Sequence, residues 1–93
     1  MSTLARSALT SLRGGDAFLV VVGMADGCMS MLVKPFEEKE FYMERLLLPG
    51  DNQEAREVHQ GSVLGIQFID NQPLAVTYGV HCASELAVSD RVR

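Results

Sequence analysis

Two cysteines and two histidines are the side chains of this sequence that could form a thiol nucleophile with its base: Cys28, His59, His81 and Cys82. His81 and Cys82 are neighbours in the segment TYGVHCASE, residues 77–85. Neighbouring residues of a strand point to opposite faces, so these two cannot form a hydrogen-bonded pair with each other. A thiol site would need a histidine brought to a cysteine by the fold, with a third group to orient the imidazole. The sequence contains no pattern that predicts such an arrangement.

Cys82 continues an apolar row with period two through Val76, Tyr78 and Val80. Buried free cysteine behaves as a small hydrophobic residue. We therefore interpret Cys82 as a packing residue, and the sequence predicts no catalytic residue.

Metal and cofactor sites are not predicted either. The four cysteine and histidine positions lack the paired spacings with which local turns close a zinc site. The segment GSVLG, residues 61–65, resembles a nucleophile elbow but has Val63 at the central position. No glycine-rich phosphate-binding motif occurs.

The charge of the chain is concentrated in one segment. Residues 37–57 contain seven acidic and three basic residues, which equals the whole formal net charge of −4. On a helix Glu37, Glu40 and Glu44 would form one stripe. We interpret this stripe either as a solvated face or as a site for a protein partner with a basic surface. The chain has no basic cluster, which disfavours direct nucleic-acid binding.

Strand patterns occur over residues 17–34 and again in the C-terminal half of the chain. Apolar residues 17–25 and 28–34 flank Asp26-Gly27, a strong signal for a hairpin turn. A second hairpin is predicted around 70–72, so that the two hairpins lie near 17–34 and 63–82. No apolar run approaches the roughly 20 residues that a membrane helix requires.

Helices are predicted in two places. Leu4, Ala8 and Leu12 are four residues apart before Gly14-Gly15, which predicts an N-terminal helix over 3–13. An organellar presequence is the alternative for the first 15 residues. Pro35 and the acidic residues after it predict a central helix over 36–48, although a strand over 44–48 competes.

These patterns predict a single α+β domain over residues 1–93. It would have an antiparallel sheet of four to five strands, with the N-terminal and the central helix packed on one face. A first strand that is apolar on both sides, in so short a chain, predicts a homodimer or a larger homo-oligomer. Two cysteines are too few for a secreted disulfide scaffold, so we expect a cytoplasmic protein.

For function, the sequence favours a small acidic protein that acts through its surface on a protein partner, without catalysis. It would be an adaptor, regulator or inhibitor of the kind that compact genomes and mobile elements encode. The alternative is a ligand-binding or enzymatic domain with a pocket at a homodimer interface, and a structural assembly subunit is a third hypothesis.

Overall fold

Antiparallel strands in two sheets form the described part of the chain. The computed structural model describes residues 6–49, 53–55, 57–69, 72–89 and 91. The strands are β1 (Arg6–Gly14), β2 (Ala17–Met24), β3 (Met29–Pro35), β4 (Tyr42–Glu44), β5 (Gly65–Phe68), β6 (Leu74–Tyr78) and β7 (Ala83–Ala87). The larger sheet has the order β1-β2-β3-β4 and the smaller sheet the order β5-β6-β7.

The β2–β3 hairpin turns at Asp26-Gly27, as the sequence predicts. Gly27 has a φ of 92°, a conformation that favours glycine. The Met24 amide donates to the carbonyl of Cys28 at 2.9 Å and closes the turn. On β2 the side chains alternate between fully buried and half-buried, so one side of the strand faces the core.

The core lies between the two sheets. Its members come from the inner faces of β2 and β3, from β6 and β7, and from the connections between strands: Ala17, Leu19, Val21, Met29, Met31, Val33, Leu46, Ala55, Val63, Ala75, Leu86 and Val88. Leu47 and Ala87 exchange backbone hydrogen bonds of 3.3 and 2.8 Å, which join the end of the larger sheet to β7.

The predicted N-terminal helix is wrong. Residues 6–14 form β1, which pairs with β2 from Arg6↔Met24 to Gly14↔Ala17. Residues four apart share one side of a strand as well as one side of a helix, so the spacing of Ala8 and Leu12 does not separate the two structures. The strand forms because residues 6–14 pair with an edge of β2 that would otherwise have no partner. Residues 3–5 of that prediction lie outside the described residues.

The predicted central helix over 36–48 is also wrong. The chain turns after Pro35, β4 pairs with β3 through Leu32↔Met43, and Leu46 enters the core. In the sequence the apolar side chains of this segment form only an imperfect helical stripe. The competing strand over 44–48 overlaps β4 only at Glu44. Because a second sheet, and not a pair of helices, covers the core, the α+β assignment is corrected to an all-β fold of two antiparallel sheets.

The second hairpin is present in a shorter form. β5 pairs with β6 from Gly65↔Tyr78 to Phe68↔Ala75, so the second strand ends at residue 78 and not at 82. Among the described residues, no helix is long and apolar enough to cross a membrane.

Candidate functional sites

The side of the larger sheet that faces away from the core is largely apolar. We call it the outer face. By strand register its members are Leu9, Ser11, Arg13, Phe18, Val20, Val22, Met24, Ser30, Leu32, Lys34 and Met43. The β2 members keep intermediate exposure, whereas their inner neighbours Leu19 and Val21 are 0% exposed. The outer face therefore presents hydrophobic side chains to the solvent.

Cross-strand pairs build its centre. Val20 lies opposite Leu32, and Leu32 lies opposite Met43, which is 71% exposed. In the neighbouring row Leu9 lies opposite Val22 and is 49% exposed. Ser11 lies opposite Val20 and Ser30 opposite Val22, so the apolar side chains form a diagonal band from Leu9 on β1 to Met43 on β4.

One end of the outer face is cationic and aromatic. The rings of Phe18 and Phe36 meet edge to face with centroids 4.9 Å apart. The Arg13 guanidinium lies 5.5 Å from the Phe18 centroid and 5.3 Å from that of Phe36. Lys34 Nζ lies 5.1 Å from the Phe18 centroid. Both cations can remain hydrated while their stems and charges lie over the rings.

The outer face has about the area of the largest apolar patch on a typical monomer, about 300–600 Å². Seven β2–β3 residue pairs define its length. Three strands at about 3.4 Å per residue and about 4.8 Å spacing cover roughly 24 by 14 Å, or about 340 Å² before side-chain relief. The largest apolar patch of a monomer is often a functional surface.

The three acidic residues predicted to bind a partner do not form a helical stripe. Glu37 and Glu40 are exposed on the connection between β3 and β4, and Glu44 lies half-buried on β4. The Tyr42 hydroxyl donates a 3.3 Å hydrogen bond to Glu44. Partner binding by these residues stays a prediction, and it now rests on the exposed connection.

A second feature is the buried histidine His59, which is 6% exposed. Its backbone is held by the β2–β3 turn, because the amides of Val58 and His59 both donate to the Gly27 carbonyl, at 3.2 and 3.3 Å. The imidazole lies against Gly79, where a Cβ would come within 2.5 Å of Nδ1 and 2.7 Å of Cγ. The ring therefore packs directly against the Gly79 backbone.

The hydrogen bonds of His59 favour one tautomer. Nε2 lies 2.7 Å from the Thr77 hydroxyl oxygen, and that hydroxyl donates to the Ser84 carbonyl at 3.4 Å. A hydroxyl has one proton, so both bonds are made together only if Nε2–H donates to Thr77. Nδ1 then has a free lone pair, and it faces Cys82 Sγ at 3.9 Å.

Cys82 is therefore not the buried packing residue that the apolar row predicted. It is exposed, as are Tyr78 and Val80, because the chain leaves β6 after residue 78 and turns back. The Gly79 amide donates to the Cys82 carbonyl at 2.9 Å, which closes this turn. The strand assumption failed here, and the fold supplies the histidine and the third group that the sequence did not predict.

Cys28 has a different environment. Its thiol donates to Asp26 Oδ2 at 3.4 Å. Partial burial, this hydrogen bond and the negative charges of Asp26 and Glu57 raise the pKa of the Cys28 thiol above the usual value. Cys28 is thus held in the protonated, less nucleophilic form.

An open groove lies near the histidine, although neither His59 nor Cys82 lines it. It has a volume of about 510 Å³ and is lined in part by Glu57, Val58 and Ser84. Val58 precedes His59, and Ser84 accepts the Thr77 hydrogen bond. In the part of the chain that the structure describes, no three acidic, histidine or cysteine side chains are grouped to hold a metal ion.

Comparison with known proteins provides no further identification. No protein-family model, no curated protein and no solved structure matches the chain.

Proposed function

We propose that this protein is a small interaction module that pairs with a second copy of itself through the outer face. The observation that carries the proposal is the exposed apolar band that runs diagonally across the outer face, from Leu9 on β1 to Met43 on β4. Its side chains would be buried on association, and each Å² of apolar surface removed from water contributes about 25 cal/mol before the cost of association.

The size of the outer face suits a modest homodimer. The flat area of about 340 Å² is below the roughly 600 Å² per partner at the lower end of specific interfaces, and side-chain relief and the flanking Phe36 add to it. Two sheets that pack face to face place their interdigitated side chains in a layer about 10 Å thick.

The charges of the outer face also permit self-pairing. The apolar centre of Val20, Leu32 and Met43 contains no charge. A two-fold axis that lies in the plane of the interface and runs perpendicular to the strands places the Arg13 and Lys34 end of one copy over the opposite end of the other. This arrangement keeps like charges apart, as an isologous interface must.

The dimer leaves the exposed acidic connection free. Glu37 and Glu40 could then meet a basic protein partner, and two copies would present two such segments. We place the protein in the cytoplasm, where its two free cysteines would remain reduced.

Sedimentation equilibrium tests the proposal. At micromolar concentration the wild-type chain should sediment with twice its mass of 10.2 kDa. Leu32→Glu places an unpaired carboxylate at the centre of the interface and should give a monomer. The matched control is Val80→Glu, since Val80 is 58% exposed on the β6–β7 turn, and this variant should remain dimeric.

A second variant covers the case in which Leu32→Glu does not fold. Met43→Glu changes a more exposed side chain of the same row and should give a folded monomer. A wild-type monomer at this concentration would refute the proposal, and so would a Met43→Glu variant that remains fully dimeric.

A further inference from the structure

We infer that Cys82, His59 and Thr77 form a nucleophilic thiol site that exchanges with low-molecular-weight disulfides. The inference is independent of the outer face, since Cys82 lies on the turn between β6 and β7 of the smaller sheet. It rests on three observations: an exposed thiol, a buried imidazole whose Nδ1 lies 3.9 Å from that sulfur, and a Thr77 hydroxyl oxygen 2.7 Å from Nε2.

In the favoured tautomer, Nδ1 presents to Cys82 the lone pair that a general base requires. Nδ1 lies 3.9 Å from the Cys82 sulfur, which is longer than a formed catalytic hydrogen bond of about 2.6–3.2 Å, so the pair must tighten when a disulfide binds. Thr77 accepts from Nε2–H and would continue to do so after Nδ1 is protonated, because the imidazolium donates from both nitrogens. Thr77 is a positioning residue.

Two glycines make this arrangement possible. Gly27 accepts the hydrogen bonds that hold the His59 backbone, and any side chain at Gly27 would collide with the His59 carbonyl group. Gly79 gives the imidazole the space of a missing Cβ. A histidine whose only role was to fill the core would not require an open thiol as its neighbour on the solvent side.

The reaction balances without another oxidant. His59 Nδ1 takes the Cys82 proton, and the sulfur attacks one sulfur of the disulfide, whose S–S bond breaks. A mixed disulfide forms at Cys82, and the departing thiolate takes the proton from His59. One thiol and one disulfide give one mixed disulfide and one thiol.

The second cysteine gives an internal comparison. The pKa of Cys28 is raised by partial burial and by its acidic neighbours, and no imidazole faces Cys28 among the described residues. In the wild-type chain a disulfide should therefore modify Cys82 first.

Cystamine is the probe, because a cationic disulfide is not repelled by an acidic chain. In a Cys28→Ser background, with cystamine in excess at pH 7, the mixed disulfide at Cys82 is followed by mass spectrometry. An ordinary thiol is only a few per cent ionised at this pH, so assistance by His59 can accelerate the reaction by up to about thirtyfold.

His59→Gln should slow the reaction by about tenfold. His81→Gln is the matched control, because His81 adjoins Cys82 in sequence but makes no described contact with its thiol, and it should leave the rate within about twofold of wild type. Thr77→Val should slow the reaction as well, and Thr77→Ser, which keeps the hydroxyl, should restore it.

A measurement on the Cys28→Ser chain alone covers variants that fail to fold. Unfolding this chain in urea should lower the rate of Cys82 by about tenfold, to that of a model thiol. The inference is overturned if folded Cys82 reacts no faster than unfolded Cys82, or if a folded His59→Gln variant keeps the wild-type rate.

Discussion

Replacing Thr77 with valine tests the hydrogen-bond chain beneath Cys82. Thr77 is 0% exposed, and valine has nearly its shape, so the packing changes little. The change removes the acceptor of His59 Nε2–H at 2.7 Å and the donor to the Ser84 carbonyl at 3.4 Å. A buried donor left without a partner costs about 1–3 kcal/mol.

Urea unfolding followed by circular dichroism measures this cost, and a thermal scan should show a lower Tm. In a domain of this size each kcal/mol lowers Tm by about 4–8 °C. Thr77→Ser loses one methyl group but keeps both hydrogen bonds, so it should be less destabilising than Thr77→Val.

A double-mutant cycle separates the hydrogen bond from other effects. His59→Leu removes the donor, so adding Thr77→Val to it should cost much less than Thr77→Val alone. A Thr77→Val variant as stable as wild type would refute the proposed tautomer and hydrogen-bond chain. An equal loss of stability from Thr77→Val in the wild-type and the His59→Leu backgrounds would also refute them.

Two further predictions concern other contacts. A Cβ at Gly23 would lie 2.5 Å from Val63 Cβ, so Gly23→Ala should destabilise the fold by about 1–3 kcal/mol in urea unfolding. If the losses of stability from Gly23→Ala and Val63→Ala simply add in the double variant, this packing is contradicted. Partial burial and the carboxylates of Asp26 and Glu57 raise the pKa of Cys28. In a Cys82→Ser chain, iodoacetamide should therefore alkylate Cys28 only at a higher pH than an ordinary thiol requires. Asp26→Asn should shift this profile toward neutral pH, and alkylation at the rate of a model thiol at pH 7 would refute the assignment.

Local sequence patterns predicted the hairpins, in which strands adjacent in the chain pair with each other. The Asp26-Gly27 turn and the apolar residues around it were enough for the β2–β3 hairpin, because turn chemistry and side-chain alternation act within a few residues. The β1 strand was missed because a spacing of four residues fits a helix and a strand equally. The 42–44 strand was missed because its pairing with β3 depends on the fold and not on its own three residues.

The thiol site could not be predicted from the sequence for a related reason. His59 reaches Cys82 only because the Gly27 carbonyl holds its backbone and Gly79 leaves room for its ring, and both contacts join distant segments. A usable signal was present in Thr77, a hydroxyl residue within an apolar strand, followed two residues later by a glycine. The outer face was partly visible, since β2 is apolar on both sides, but the second sheet was needed to decide which side remains exposed.

An isotope-filtered NMR experiment tests the outer-face dimer most directly. In a mixture of ¹³C-labelled and unlabelled chains, NOEs from the methyl groups of Val20, Val22, Leu32 and Met43 in one copy should reach the outer face of the other. Val80, on the β6–β7 turn, should give none. Intermolecular NOEs confined to Val80 and its neighbours, or an absence of any at concentrations where the wild-type chain sediments as a dimer, would contradict the account.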